Sequence, residues 1–243
     1  DALRHEVTAH YKVALVAVRF NDEEQMAYEE VDEQARRHRG WLINNAGVRA
    51  EPFRAFMQDV TNLEKGGYEE ETARARMYLH AFSLRRQVLA QTEAKLDLLD
   101  DLASAIRGAE RVLVFTERTE SAEKAAERIR EHGLSAVAIH SKLKLDTRKS
   151  VLAQFARGSI SVLCAPRVLD EGVDVPAADL GIILAASQSQ RQMIQRMGRL
   201  LRRKADGRYA RFVISYVQGT SEDPDSGAHE TFLENLTSVA SDI

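Results

Sequence analysis

Val112-Leu113-Val114-Phe115-Thr116, then Glu117 to His132 (ERTESAEKAAERIREH), then Gly133-Leu134-Ser135 and Ala136-Val137-Ala138-Ile139, is the stretch that decides the fold. A β-branched run of strand length leads into an amphipathic helix from about Ala122 to His132. Gly133 stands where a helix C-cap belongs, and a second apolar run follows. Strand, helix and strand in this rhythm make a parallel βαβ unit. The rhythm continues downstream. A helix is expected over Thr147 to Arg157, closed by Gly158, then strands at Ile160 to Ala165 (ISVLCA), Leu180 to Ala185 (LGIILA) and Ala210 to Val217 (ARFVISYV), with a helix at about Gln188 to Leu201 before the last. The fold class is therefore α/β: a doubly wound, mostly parallel sheet over residues 108–220, preceded by a mainly helical segment.

Upstream, Lys12 to Phe20 (KVALVAVRF) reads as a strand. Asn21 follows as an N-cap, with Glu24 three residues later as its capping-box partner. A helix from about Asp22 to His38 is predicted. Gly40 and Asn44-Asn45-Ala46-Gly47 interrupt the chain, and helical patterns resume at Phe53 to Leu63 and from Tyr68 onward. Ala73, Met77, Leu84, Val88, Leu96, Leu99, Leu102 and Ile106 recur with a period near 3.6, with Thr92 as a cap between two helices and Gly108 at the end.

At 243 residues, 44% of them hydrophobic, the chain has material for one large or two small cores. A formal charge of -3 argues against a uniformly basic nucleic-acid binder, so any such surface must be local. One is present between Arg191 and Arg211, where Asp206 is the only acid among eight cations. A single cysteine, Cys164, excludes an internal disulfide and fits a core position in a reducing compartment. No apolar stretch approaches a membrane span and no signal pattern opens the chain, so a cytoplasmic location with no membrane partner is expected. The chain starts at Asp1 on polar sequence, which suggests a piece of a longer protein.

In open parallel sheets ligands bind beyond the carboxyl ends of the strands, so the loops there carry the chemistry. After the first strand of the α/β segment come Thr116-Glu117-Arg118-Thr119, able to meet an anionic backbone or simply to cap a helix through Thr119. After the third comes Pro166-Arg167-Val168-Leu169-Asp170-Glu171-Gly172-Val173-Asp174-Val175-Pro176, more polar than a turn requires. After the fourth, Ser187-Gln188-Ser189-Gln190 caps a helix carrying Gln195, Gly198, Arg199 and Arg202. Arg199 and Arg202 stand at i and i+3, so both project from one helix face, where two planar forks can grip phosphoryl oxygens. The alternative is a solvated basic face or a nonspecific nucleic-acid patch. Glycine at 198 costs about 1 kcal/mol in a helix, a penalty tolerated where a ligand or backbone approaches closely.

Together these loops resemble the second RecA-like domain of superfamily 2 helicases, most closely the XPB-like branch and more loosely type III restriction subunits and chromatin-remodelling translocases. VLVFTERTESAEKAAERI is similar to motif IV, AIHSKLKLDTRKSVLAQFARG to the segment after it, VLCAPRVLDEGVDVP to motif V and QRMGRLLRRK to motif VI, from about Lys95 to Tyr216. The resemblance implies that Arg199 and Arg202 reach the γ-phosphate of ATP held mainly by a partner lobe, and that Gln195 helps link nucleotide and nucleic-acid sites. It implies that Gly172 and Asp174 close on the nucleotide, and that Thr116, Arg118 and Arg167 contact nucleic acid. Met197 and Leu200-Leu201 fit the XPB-like form rather than the HRxGRxxR form of DEAD-box RNA helicases, which favours DNA over RNA as partner.

No G-x-x-x-x-G-K-[ST] loop occurs in the sequence. Asp22-Glu23-Glu24-Gln25 mimics a DExx box but reads as the acidic start of a helix. ATP and Mg²⁺ are thus implied only together with an N-terminal RecA-like lobe of the same polypeptide, and the chain alone should be inactive; no metal site of its own is expected. On this reading residues 1–21 are a strand or linker from the missing lobe, 22–107 a thumb-like helical insertion with its connecting helix, 108–220 the helicase C-terminal domain and 221–243 a C-terminal helix or tail. The arginines of the helical part, among them Arg36, Arg49, Arg74, Arg76 and Arg85, could grip duplex DNA or be paired with nearby acids in a helical brace. Trp41 could stack on a base or anchor packing. His132, His140 and His229 lack metal-ligand spacing and read as surface or turn residues. The function expected is the C-terminal lobe of an ATP-dependent DNA helicase or translocase, with a non-catalytic DNA-binding or scaffold module as the alternative.

Overall fold

A computed structural model describes residues 11–166, 178–185 and 210–226. The chain divides into two compact units, one of Phe20–Thr92 and the other of Asp1–Arg19 with Glu93–Ile243.

The second of these holds a six-stranded sheet. Its strands are β1 (Tyr11–Val18), β2 (Val112–Thr116), β3 (Ala136–Ala138), β4 (Val162–Pro166), β5 (Leu180–Ile183) and β6 (Ala210–Val217), in the order β1-β6-β5-β2-β4-β3. Every adjacent pair is parallel. The pleat sends alternate side chains of β2 to opposite faces. Val112 and Val114 join a core with α4 (Glu93–Asp101), α5 (Ala103–Arg107) and α6 (Thr119–Glu131), through Leu96, Leu99, Ile106, Ala122 and Ile129. Leu113 and Phe115 join the opposite core with Val151 and Phe155 of α7 (Leu145–Ala156). All five residues of β2 are buried, as a strand covered on both faces requires, and this is why it reads as an uninterrupted apolar run. The fold is a mixed α/β domain of RecA-like, doubly wound type with a parallel sheet.

Local devices fix the turns. Gly133 and Gly158 follow α6 and α7 with φ of 72° and 78°, the left-handed conformation that closes a helix at least cost to glycine. Asp179, buried just before β5, accepts through Oδ1 from the Glu110 and Arg111 amides, each at 2.9 Å, and so holds the entry to β2.

Tyr11–Val18, expected within a strand or linker from a missing lobe, lies at the edge of this sheet, in register with Ala210–Val217 along its whole length. Residues 22–107 were expected as a helical insertion with its connecting helix; α1 to α3 form the Phe20–Thr92 unit, and α4 and α5 pack in the sheet unit. The stripe expected through Ala73, Met77, Leu84 and Val88 is not the buried face of α3, which buries Ala75, Tyr78, Ala81 and Leu89 and leaves Met77 exposed.

The Phe20–Thr92 unit contains α1 (Asp22–Asn45), α2 (Phe53–Gly66) and α3 (Glu69–Gln91). The predicted capping box is formed: Asn21 Oδ1 accepts from the Glu24 amide at 2.8 Å, and Glu24 Oε2 accepts from the Asn21 amide at 3.2 Å. α1 runs a further two turns past His38. Its core is Leu42, Phe56, Val60, Ala75, Tyr78 and Ala81, with Phe53 and Phe82 stacked around Phe56 and Tyr78. Asp32 meets Arg85 and Trp41 meets Arg74, so α1 and α3 run antiparallel.

Candidate nucleotide and nucleic-acid site

Strand β2 lies between β4 and β5, and its connection leads to β3 on one side while that of β5 leads to β6 on the other. Connections that leave in opposite directions open a crevice beyond the carboxyl ends of the strands. The ends of β2, β4 and β5 meet there in register: Thr116 faces Pro166, Phe115 faces both Ala165 and Ile183, and the Leu184 amide donates to the Phe115 carbonyl at 2.9 Å. Ser215, fully buried in β6, donates to the Ile183 carbonyl at 3.0 Å and fastens the end of β5.

Thr116 is buried, and its hydroxyl donates to the Arg118 carbonyl at 3.0 Å. In this position it shapes the β2–α6 loop. Arg118, the N-cap of α6, reaches solvent with a side chain 45% exposed, and its Nε lies 4.0 Å from Glu120. Thr119 was weighed as the cap of this helix; it is instead the first helical residue, and no side chain caps the helix. Glu120 also receives Lys142 at 3.2 Å, and its carboxyl is held below the usual range by a backbone amide first and Lys142 second.

His140 was expected at the surface. It is 8% exposed, and its Nε2 lies 2.8 Å from Glu123 of α6. Glu120 and Glu123, one turn apart, thus position Lys142 and His140 of the β3–α7 loop. Sequence reading missed this pair because the partners lie 17 residues apart on different elements with no spacing rule between them. His132 is partly exposed and binds Asp100 at 2.6 Å, which Arg128 also holds; the Arg128 guanidinium first, then His132, keeps that carboxyl below its usual range. His229 lies outside the described residues. Cys164 is buried in the core, and burial pushes its thiol up.

Arg167, Gly172, Asp174, Gln195, Arg199 and Arg202 all lie outside the described residues. The strands that bracket them are described: residues 167–177 leave β4 at the end of the sheet that holds Thr116, and residues 186–209 leave from the end of β5 beside it. Among the described residues no group of histidines, cysteines or carboxylates could hold a metal ion. With no phosphate loop in the sequence either, the residues in view do not fit ATP·Mg²⁺ as a resident ligand of this chain alone. No described helix is long and apolar enough to cross a membrane.

In the helical unit, arginines stand against acids: Arg36 and Arg85 on Asp32, Arg39 on Glu51, Arg49 on Asp59, Arg74 on Glu70 and Arg76 on Glu64. Trp41 packs on the unit's core beneath the Arg74 guanidinium, 5.1 Å from the ring centroid.

Residues 94–204 match the helicase conserved C-terminal domain. The chain is 28% identical over 204 residues to the DNA 3'-5' translocase XPB2 of Sulfurisphaera tokodaii, a match covering 84% of this chain and 43% of that protein. It is 27% identical over 209 residues to UvrABC system protein B of Bacillus subtilis, covering 78% and 30%. In fold it is similar to the Sulfolobus solfataricus SWI2/SNF2 ATPase C-terminal domain, with a TM-score of 0.57 at 12% identity over 94% of this chain and 87% of that one. The chain spans under half the length of these two curated relatives. The fold is of RecA type, residues 94–204 resemble a superfamily 2 helicase-like C-terminal domain, and the chain is similar in sequence to XPB- and UvrB-type proteins.

Proposed function

We propose that this chain is the C-terminal lobe of an ATP-dependent DNA helicase or translocase of the XPB-like branch. The observation that carries the reading is the convergence of β2, β4 and β5 on one crevice, from which the segments bearing Gly172, Asp174, Gln195, Arg199 and Arg202 leave. A second lobe with a phosphate loop holds ATP and Mg²⁺. Arg199 and Arg202 then neutralise charge on the transferring phosphoryl group, a role worth roughly 10³ to 10⁵ in rate for one arginine. Gly172, Asp174 and Gln195 tie the nucleotide to the strand, and Thr116, Arg118 and Arg167 line the DNA track, where backbone contacts make binding salt-dependent. Thr116 acts by shaping the loop and Arg118 by reaching the phosphate. Closure of the lobes then couples hydrolysis to stepping.

The acid partners of its arginines favour the helical unit as a brace over a grip on duplex DNA. The reading is tested by ATP hydrolysis of the 243-residue chain alone and of the polypeptide or complex that adds a phosphate-loop lobe. The chain alone should hydrolyse none, and the joined protein should show DNA-stimulated turnover. Turnover by the chain alone, or a joined protein that binds DNA without hydrolysis, would reject it, the latter in favour of a scaffold module.

A further inference from the structure

The chain crosses between its two units twice, at Arg19–Phe20 and at Thr92–Glu93. Within the sheet unit both stems are tied to one short segment, the turn from Gln218 to Ser226 after β6. The first stem is β1: beyond the paired strands the Gln218 amide donates to the Val18 carbonyl at 2.9 Å, and Arg19 Nε donates to Gln218 Oε1 at 3.0 Å. The second stem is α4, where Lys95, 2% exposed, donates to Glu222 Oε2 at 2.7 Å. The turn itself is closely held. Glu222 Oε2 also accepts from the Val217 amide, Thr220 donates to the Val217 carbonyl at 2.7 Å, and the Gly219 amide donates to Asp223 at 2.6 Å with Gly219 at φ 73°.

Stability alone does not account for a buried ion pair here. Taking two charges out of water costs about what their attraction returns, and an apolar pair of the same volume would pack as well. What the ion pair adds is a single register of α4 against the turn, because any slip leaves two charges buried and unmatched.

We propose that the Gln218–Ser226 turn is a double anchor, a conformational device that fixes both stems of the helical unit to the end of β6. Displacement at the end of this strand is carried into both stems at once, whatever chemistry drives it. β6 is also the strand that directly follows the segment holding Arg199 and Arg202. The inference stands on the hydrogen bonds alone and does not depend on ATP hydrolysis.

The test places spin labels at Met26→Cys and Leu145→Cys, both exposed, in the full chain; Cys164 is fully buried and stays unlabelled. The label-to-label distance distribution is then measured by pulsed electron resonance. Lys95→Met/Glu222→Leu replaces the ion pair by an apolar one and should leave the melting temperature within a few degrees. The anchor predicts a distribution roughly twofold broader in that variant, because the α4 stem then loses its directional tie to the turn after β6. Arg19→Ala/Gln218→Ala loosens the other stem at an exposed site and should broaden it independently, with the greatest width in the combined variant. A width unchanged in variants that still melt cooperatively overturns the proposal. If the apolar pair does not fold, the Arg19→Ala/Gln218→Ala result decides alone.

Discussion

Lys95 and Glu222 form a buried ion pair 127 positions apart in sequence, and truncating one partner leaves the other charge in the core. Lys95→Ala should cost about 3–5 kcal/mol in chemical denaturation. Asp179→Ala should cost about 2–3 kcal/mol, because two amides at the entry to β2 lose a charged acceptor. Neither role is legible from sequence: Lys95 sits among apolar periodic positions and Asp179 between two strands, and only the tertiary fold supplies their partners. The Asn21–Glu24 capping box was legible, because its partners are three residues apart and the spacing itself is the geometry.

Two titrations in the helical unit have opposite charge types and the same sign. Hydrogen bonds from Arg49 hold the Asp59 carboxyl down at about 2. Its stabilisation is present above the unfolded value of about 3.9 and is lost as pH falls through about 2. His38, buried in α1, has its pKa lowered by burial first and then by Arg74 and Arg37. Here the unfolded chain binds the proton first, so stability is level above about pH 6.5 and declines below it. Denaturation midpoints measured from pH 8 to pH 5 should fall in the lower half of that range, and His38→Leu should flatten that decline. Unchanged slopes in the variant would refute the assignment.

Elements carry their own test. Gly133 ends α6 at a positive φ, and a β-carbon built there meets nothing within 4 Å, so the cost of Gly133→Ala is the backbone conformation alone. It should be about 1–2 kcal/mol in equilibrium denaturation, with the protection of the slowest-exchanging sheet amides falling by the same amount. A larger loss would mean that packing, and not φ, selects glycine. The strands and helices from β2 to β4 were legible because each short apolar run stands between glycine punctuation and an amphipathic helix, a pattern only a parallel layered fold satisfies. β1 was legible as a strand but not as a member of this sheet. Its partner β6 begins at residue 210, and an apolar run of strand length does not say which sheet it joins; β1 takes the edge, with Val13 buried and Lys12, Ala14 and Ala17 exposed. On α3 the expected stripe was misplaced: Ala73 and Met77 are exposed, and Ala75, Tyr78 and Ala81 face the core, because small and aromatic residues rather than the aliphatic ones fill the contact with α1.

For the whole molecule, the sequence placed the binding loops at the carboxyl ends of parallel strands, but the strand order that brings β2, β4 and β5 together was not legible, because a βαβ rhythm does not fix which strands are neighbours. The resemblance through VLVFTERTESAEKAAERI and QRMGRLLRRK agrees with the helicase C-terminal match over residues 94–204. The His140–Glu123 pair and the double anchor were not foreseen, because contacts between distant segments decide them. The proposed function rests on Arg199 and Arg202 serving an ATP site completed by another lobe. The most direct measurement is DNA-stimulated ATP hydrolysis by the two-lobe protein carrying Arg199→Ala or Arg202→Ala, alongside its DNA affinity at fixed salt. The account predicts that hydrolysis falls by roughly 10³ or more while DNA affinity changes only a few-fold. Equal loss of hydrolysis and DNA binding, or hydrolysis that survives either substitution, would contradict it.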